Sequence, residues 1–212
     1  MKLKLYHYWR SSSSWRVRMA LAFKNITPGY APVDLLTNEQ SNPNHLARNP
    51  SGLVPCLEVT HDGKTIFLNE SVAIIEWLDE NFPDPKLLPT DSLDRATVRE
   101  LVQIINADIQ PVQNLRVLQY VSPDQAERAA WSRHWIEVGF TALEKRLTQT
   151  AGIYSFGNQV TMADLYLVPQ CYNAGRCNVD LTPFPTIMRV NAALIKLLFC
   201  QETAPDRFQP TA

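Results

Sequence analysis

Glycine is scarce in this chain: seven glycines stand against fifteen prolines in 212 residues. Few connections therefore rely on free backbone torsion, and many helix and strand ends are set by the fixed φ of proline. No apolar run approaches the ~20 residues that a membrane-spanning helix needs. Met1-Lys2-Leu3-Lys4 leads into alternation, not into the apolar core of a signal peptide. Neither sign of charge is in excess, since the formal net charge is −1, so neither nucleic acid nor an anionic membrane is implied as a partner. The four cysteines, Cys56, Cys171, Cys177 and Cys200, form no CxxC pair and no metal-like spacing with the four histidines. No metal is expected, and a reduced, cytoplasmic location fits. What is present is 45% hydrophobic and 19% charged residues, enough apolar surface for a core and too little charge for a disordered chain. The length allows one large or two small domains.

Residues 2–8 alternate like a strand and 12–24 read as a helix. A turn at Asn25–Gly29 leads to a short strand over Tyr30–Leu35, which Pro32 confines to an edge. Residues 36–48 are polar, with a short helix near Asn44–Ala47, and Asn49-Pro50-Ser51-Gly52 is a loop. Cys56–Thr60 and Thr65–Leu68 are strands joined by an Asp62-Gly63 hairpin, and Ser71 is expected to cap a helix running to about Phe82. Strand, helix, strand, hairpin, helix is most economically a mixed four-stranded sheet with helices on both sides. Val54-Pro55, just before the third strand, is a cis candidate that would turn the Val54 backbone toward an extended, peptide-like ligand.

Pro83–Pro89 is the clearest linker, and beyond it the pattern is helical. One long helix is expected over 91–121, capped by Asp91 or Ser92 and kinked at Pro111. The next begins at Ser122-Pro123-Asp124, with Trp131, Trp135 and Val138 at i, i+4, i+7 as core residues. Thr161-Met162-Ala163-Asp164 has the form of a capping box, and Pro169 should break or kink the helix behind it. Thr182-Pro183-Phe184-Pro185 precedes a last helix to about Cys200, followed by a loosely ordered tail. The domains are therefore 1–82, a linker at 83–89, and an all-helical 90–212.

Between the first strand and the first helix lies Tyr8-Trp9-Arg10-Ser11-Ser12-Ser13-Ser14-Trp15-Arg16-Val17-Arg18. Serine satisfies orphan N–H groups at a helix start, and that end of a helix favours an anion. A thiolate placed there would be stabilised and its pKa would fall. The plainer reading is a serine-rich loop that merely starts a helix.

This stretch resembles the signature Ser-Ser-Cys-Ser-Trp-Arg-Val-Arg of the zeta class of glutathione transferases, which includes maleylacetoacetate isomerases and related maleylpyruvate isomerases. Further similar segments run along the whole chain: Asn49-Pro50 with Val54-Pro55, Glu70-Ser71 with Ala73-Ile74-Ile75-Glu76, and Ile109-Gln110-Pro111 with Gln113-Asn114. They continue with Ala151–Tyr154, Val160–Asp164, Leu167–Gln170 and Val179–Pro183. The resemblance implies an α/β thioredoxin-like N-terminal domain followed by an all-α glutathione transferase domain, a homodimer, and glutathione as cofactor. It makes Ser11 the thiol-activating residue, with Ser12 in support. The family cysteine falls on Ser13, which leaves that position to keep the pocket polar. Glu70-Ser71 resembles the pair that grips the γ-glutamyl end, although many members carry Gln where Glu70 stands. Val54 is implied to pair its backbone with the cysteinyl unit, and Gln40 to reach the glycine end. Gln110 and Asn114, four apart, would share a helix face, which the family places across the cleft from Ser11.

The substrates implied are small dianionic cis-enones, and arginine suits carboxylates through its planar fork. Arg10, beside the serines, and Arg176, which matches a family arginine, are the candidates, with Arg116 a weaker third. Arg16 and Arg18 are assigned to structure. The implied reaction is addition of the glutathione thiolate to the double bond, rotation about the resulting single bond, and elimination, turning maleylacetoacetate into fumarylacetoacetate in tyrosine and phenylalanine breakdown. A maleylpyruvate isomerase of gentisate breakdown, a general conjugating transferase and a non-catalytic binding module are the competing readings. Two arginines for a dianion favour the isomerase.

Overall fold

β1 (Lys2–His7) lies inside a four-stranded sheet of order β2-β1-β3-β4. The computed structural model describes residues 1–210. β2 (Gly29–Pro32) runs parallel to β1 at the edge, where Pro32 withholds no ladder donor that an inner strand would need. β3 (Cys56–His61) pairs antiparallel on the other side, with Leu5 opposite Leu57, and β4 (Lys64–Asn69) returns through the hairpin. Both hairpin residues, Asp62 and Gly63, have positive φ, as a tight turn matching the strand twist requires. Tyr6 and Tyr8 alternate with Leu5 and His7, so they pack on the opposite face in a cluster with Val33, Val54 and Cys56. The Val54-Pro55 peptide is cis, and so is Asp84-Pro85.

The chain divides into two compact units, one of Met1–Pro85 together with the segment from Leu198, the other Lys86–Leu197. The second unit is helical: α4 (Ser92–Gln103), α5 (Leu115–Val121), α6 (Gln125–Thr150), α7 (Met162–Arg176) and α8 (Pro185–Leu194). The single long helix expected over 91–121 is not formed. α4 passes into a π-helical segment, Ile104–Ile109, then a 3-10 turn, Pro111–Gln113, before α5 restarts. Pro111 has no N–H to continue the ladder, and the wider turn accommodates it. Gly139 of α6 faces this segment so closely that a Cβ there would collide with the Ile109 side chain, so only glycine allows the approach.

The buried face of α6 is Ile136, Gly139, Phe140, Leu143 and Leu147, not the tryptophan row. Trp131 and Trp135 lie half-buried on its flank, where Trp131 Nε1 donates to Val112 O, and Val138 is exposed. α7 runs unbroken through Pro169; almost every side chain from Met162 to Cys171 is buried, and that packing outweighs one missing hydrogen bond. Its capping box is present, with Asp164 accepting from Thr161 N at 2.7 Å and from Ser155 N at 2.8 Å.

In the first unit, α1 (Ser12–Phe23) and α3 (Ser71–Asn81), separated in sequence by the short α2 (Pro43–Leu46), pack together, and three buried cations organise them. Lys24 Nζ donates to Asp79 Oδ1, Phe82 O and Pro85 O at 2.6–2.9 Å, which uses all three of its N–H bonds at the C-terminal end of α3. Arg16 Nη1 reaches Ser71 Oγ at 3.3 Å. Arg18 donates to Tyr8 O, Trp9 O and Thr203 O, and lies over the Phe208 ring. Trp15 Nε1 also donates to Thr203 Oγ1. The described part of the tail is thus tied down, with Thr203 and Pro205 buried, contrary to the loose segment expected. For the same reason the chain from Leu198, including the short α9 (Leu198–Glu202), groups with the first unit and not with the helical one.

Arg18 Nη1 also lies 3.3 Å from His7 Nδ1. Guanidinium only donates, so Nδ1 accepts and the ring is neutral with its proton on Nε2. Burial, then the Arg18 charge, hold the His7 pKa down from 6.5 to about 4. Between those values the unfolded chain binds the proton that the folded one refuses, so stability falls as pH drops through the window, by roughly 3 kcal/mol in full. His7→Asn keeps an acceptor toward Arg18 and should flatten this dependence. Urea midpoints at pH 7 and pH 4.5 check it; equal acid shifts in both proteins would refute it.

Candidate active site

The serine stretch does start α1. Ser11 is the N-cap, and its Oγ accepts from Ser14 N at 3.2 Å. Its hydroxyl proton has no acceptor among the described residues and remains available. The first N–H groups of the helix, those of Ser12 and Ser13, have no intrahelical partners by construction. Ser12 is buried and Ser13 half-buried. Tyr8 N lies 3.4 Å from Ser14 Oγ and Ser11 N donates to Tyr8 O, so the turn is fastened to the end of β1. Together these groups put several donors at a positive helix end, an arrangement suited to an anion such as a thiolate. Arg10 stacks on the Trp9 ring, 5.3 Å from its centroid, and no carboxylate among the described residues pairs with it.

The loop before β3 supplies the next surface. Leu53 O accepts from Asn49 Nδ2 and lies 2.9 Å from His45 Nε2, which holds the loop rigid. Val54 follows, and neither its N–H nor its C=O has a hydrogen-bond partner among the described residues. This open main-chain pair is what an extended peptide needs for strand-like pairing. Gln40, in a 3-10 turn at Glu39–Ser41, comes to the same loop: its carbonyl would stand 3.3 Å from a Cβ on Gly52. Its Nε2 donates to Asn38 Oδ1, and its Oε1 is buried without a partner.

At the start of α3, Glu70 is the N-cap and Ser71 the first helical residue, so Ser71 is not the cap expected. The Glu70 side chain makes no cap bond and is exposed, and its backbone sits at φ 69°, an uncommon place for a residue with a Cβ. The Ser71 hydroxyl instead accepts from Arg16, a contact not anticipated for a residue assigned only to structure. The signal that could have raised it was a charged residue in a helix with apolar or serine neighbours on every side.

The second unit carries the remaining candidates. Gln110 closes the π segment, and Asn114 is the N-cap of α5, its Oδ1 accepting from Arg116 N at 3.2 Å. The two therefore do not share one helical face, because the backbone leaves the helix at Asn114, with ψ 147°. Gln113 instead reaches inward, donating to Gln170 Oε1 at 2.8 Å. Arg176 is exposed in the last turn of α7, where the helix dipole favours a cation. Arg116 is exposed as well. No group of three or more His, Cys, Asp or Glu among the described residues is placed to hold a metal, and no helix is long and apolar enough to cross a membrane.

A serine at a helix start, an open backbone pair and a polar helix end lie on a mixed sheet, and the glutathione S-transferase N-terminal domain matches residues 5–86. Over the full chain, identity is 44% to the maleylacetoacetate isomerase of Dictyostelium discoideum, covering 100% of this chain and 96% of the relative. A crystal structure of maleylacetoacetate isomerase from Anaeromyxobacter dehalogenans with bound GSH in its active site has TM-score 0.91 and 48% identity, covering 100% of this chain and 98% of that one. The same enzyme with bound dicarboxyethyl glutathione and citrate superposes at TM-score 0.91 with 47% identity, covering 100% and 97%. A holo maleylpyruvate isomerase, a bacterial zeta-class enzyme, gives TM-score 0.92 and 42% identity over 99% of both chains. The chain belongs to the maleylacetoacetate isomerase family, within the zeta class of the glutathione transferases.

Gly52 at φ 60°, pressed against the Gln40 carbonyl, is the tightest point of the loop. Gly52→Ala should cost about 1–2 kcal/mol from the left-handed conformation alone, read as a lowered urea midpoint with an unchanged m-value.

Proposed function

We propose that the chain is a glutathione-dependent cis–trans isomerase that converts maleylacetoacetate to fumarylacetoacetate in tyrosine and phenylalanine breakdown. The observation that carries this is Ser11: an N-cap whose acceptor function is used by Ser14 while its proton is unspent, in a chain of this family. Glutathione fits the residues present, since the open Val54 backbone and a Gln40 Oε1 free to accept the glycyl N–H border one loop. When bound, it supplies a thiolate that adds reversibly to the double bond beside the ketone.

The chain's own residues do the rest. The Ser11 hydroxyl and the Ser12 and Ser13 N–H groups hold the sulfur as an anion, which lowers the thiol pKa. Val54 pairs with the cysteinyl backbone, Gln40 takes the glycine end, and Glu70 and Ser71 take the ammonium and carboxylate of the γ-glutamyl end. Gln110 and Asn114 are assigned to the cofactor on the family resemblance. Arg10 and Arg176 are the residues we assign to the two carboxylates of the substrate on the family resemblance, and no carboxylate among the described residues pairs with Arg10. We infer a cytoplasmic homodimer; four free cysteines fit a reducing compartment.

Two variants test this. Ser11→Ala should raise the pKa of the bound thiol by about 1 to 2, the worth of one hydrogen bond to a charged group, seen as thiolate absorbance against pH. An unchanged pKa would remove the activating role. Arg176→Ala should raise KM for maleylacetoacetate roughly 10- to 100-fold and spare maleylacetone, which has one carboxylate. Equal loss on both would sink the clamp, and maleylpyruvate assayed beside them shows whether the preferred dianion is maleylacetoacetate.

A further inference from the structure

α1 and α3 run parallel and in register: Arg16 meets Ser71 and Lys24 meets Asp79, both pairs 55 positions apart. The two rungs place a cation at each end of α3. Lys24 stands at the C-terminal end, where the dipole favours positive charge. Arg16 stands at the N-terminal end, where the dipole is already positive. It is fully buried, and the first turn of α3 holds no acidic residue. Helix end and guanidinium therefore add, and the summed potential at Ser71 favours an anion more strongly than either source alone.

Resting on the glutathione reading of this site, we propose that Arg16 is a positioning and specificity residue for the cofactor. Through its bond to Ser71 Oγ it fixes that hydroxyl and supplies the charge that selects the α-carboxylate of the γ-glutamyl end. Glu70, exposed at the preceding position and free of any cap bond, takes the adjacent ammonium. The pair reads the zwitterion as a unit: cation from within, anion from the rim. Arg16 itself does not touch the reacting sulfur, which is served by Ser11 at the start of α1.

The test crosses a protein change with a ligand change. Binding of glutathione is compared with that of γ-aminobutyryl-cysteinylglycine, which keeps the amine, thiol and glycine but lacks that carboxylate. Wild type should prefer glutathione by roughly 10- to 100-fold, the scale of one charge-assisted contact. Arg16→Gln should cut this preference at least fivefold while leaving the bound-thiol pKa unchanged, and Arg16→Lys should recover part of it. In a Ser71→Ala background the Arg16 changes should matter less. A merely structural role weakens both ligands alike, so an unchanged preference in a folded Arg16→Gln overturns the proposal. Should Arg16→Gln fail to fold, Arg16→Lys, which keeps the buried charge on a shorter stem, decides: its preference must fall at least threefold, and equality with wild type overturns the proposal. If wild type binds neither thiol, the glutathione reading itself fails, a result distinct from either.

Discussion

Arg18 is the interaction on which the first unit turns. A guanidinium with no exposed surface must place its donors on acceptors, since an unpaired buried charge is among the most destabilising defects a fold can hold. Here the acceptors are Tyr8 O, Trp9 O, Thr203 O and the neutral His7 ring. Two of these carbonyls immediately precede Arg10 and Ser11. The turn that presents the serine is thus held by the same cation that recruits the tail. Arg16, two positions earlier, points to the other side of the helix, since a step of two residues turns roughly 200°, and fastens the start of α3.

That arrangement explains what periodicity shows and conceals. The strands were legible because alternation in Leu3–His7 and the Asp62-Gly63 turn are local signals, and Pro32 marked the edge on its own. α1 was legible as a helix, but its surroundings were not: Ser14 through Leu21 are all buried, so no polar face distinguishes one side from another. A helix buried all round needs its charged residues satisfied inside, and only the folded chain shows by what. The capping box at Thr161 and Asp164 was legible because its chemistry lies within four residues.

In the second unit the failures share one cause. Pro111 is expected as a kink in a continuous helix, Pro169 as a break or kink, and the tryptophan row as core. Each judged a residue by its own propensity, whereas the outcome was set by neighbours distant in sequence. Gly139 admits Ile109 and with it a wide turn, the burial of α7 overrides its proline, and Ile136, Phe140 and Leu143 occupy the inner face of α6. The roles of Ser11, Val54 and Glu70 come from the family resemblance, not from periodicity or spacing. Asn114 is committed to a cap, and Arg16, assigned to structure, has a partner 55 positions away in Ser71 that no local pattern shows.

The bond between Arg18 and Thr203 also constrains when the first unit can mature. During synthesis the carbonyl of Thr203 leaves the ribosome 185 residues after the arginine that needs it. Until then the nascent sheet carries a cation with an acceptor missing and Trp15 without its partner. The thioredoxin-like half therefore completes its packing only after the helical half has been made. A chain stopped before position 203 keeps the bonds of Arg18 to Tyr8 O and Trp9 O but leaves Arg18 Nε and Trp15 Nε1 without the Thr203 acceptors they use in the complete fold.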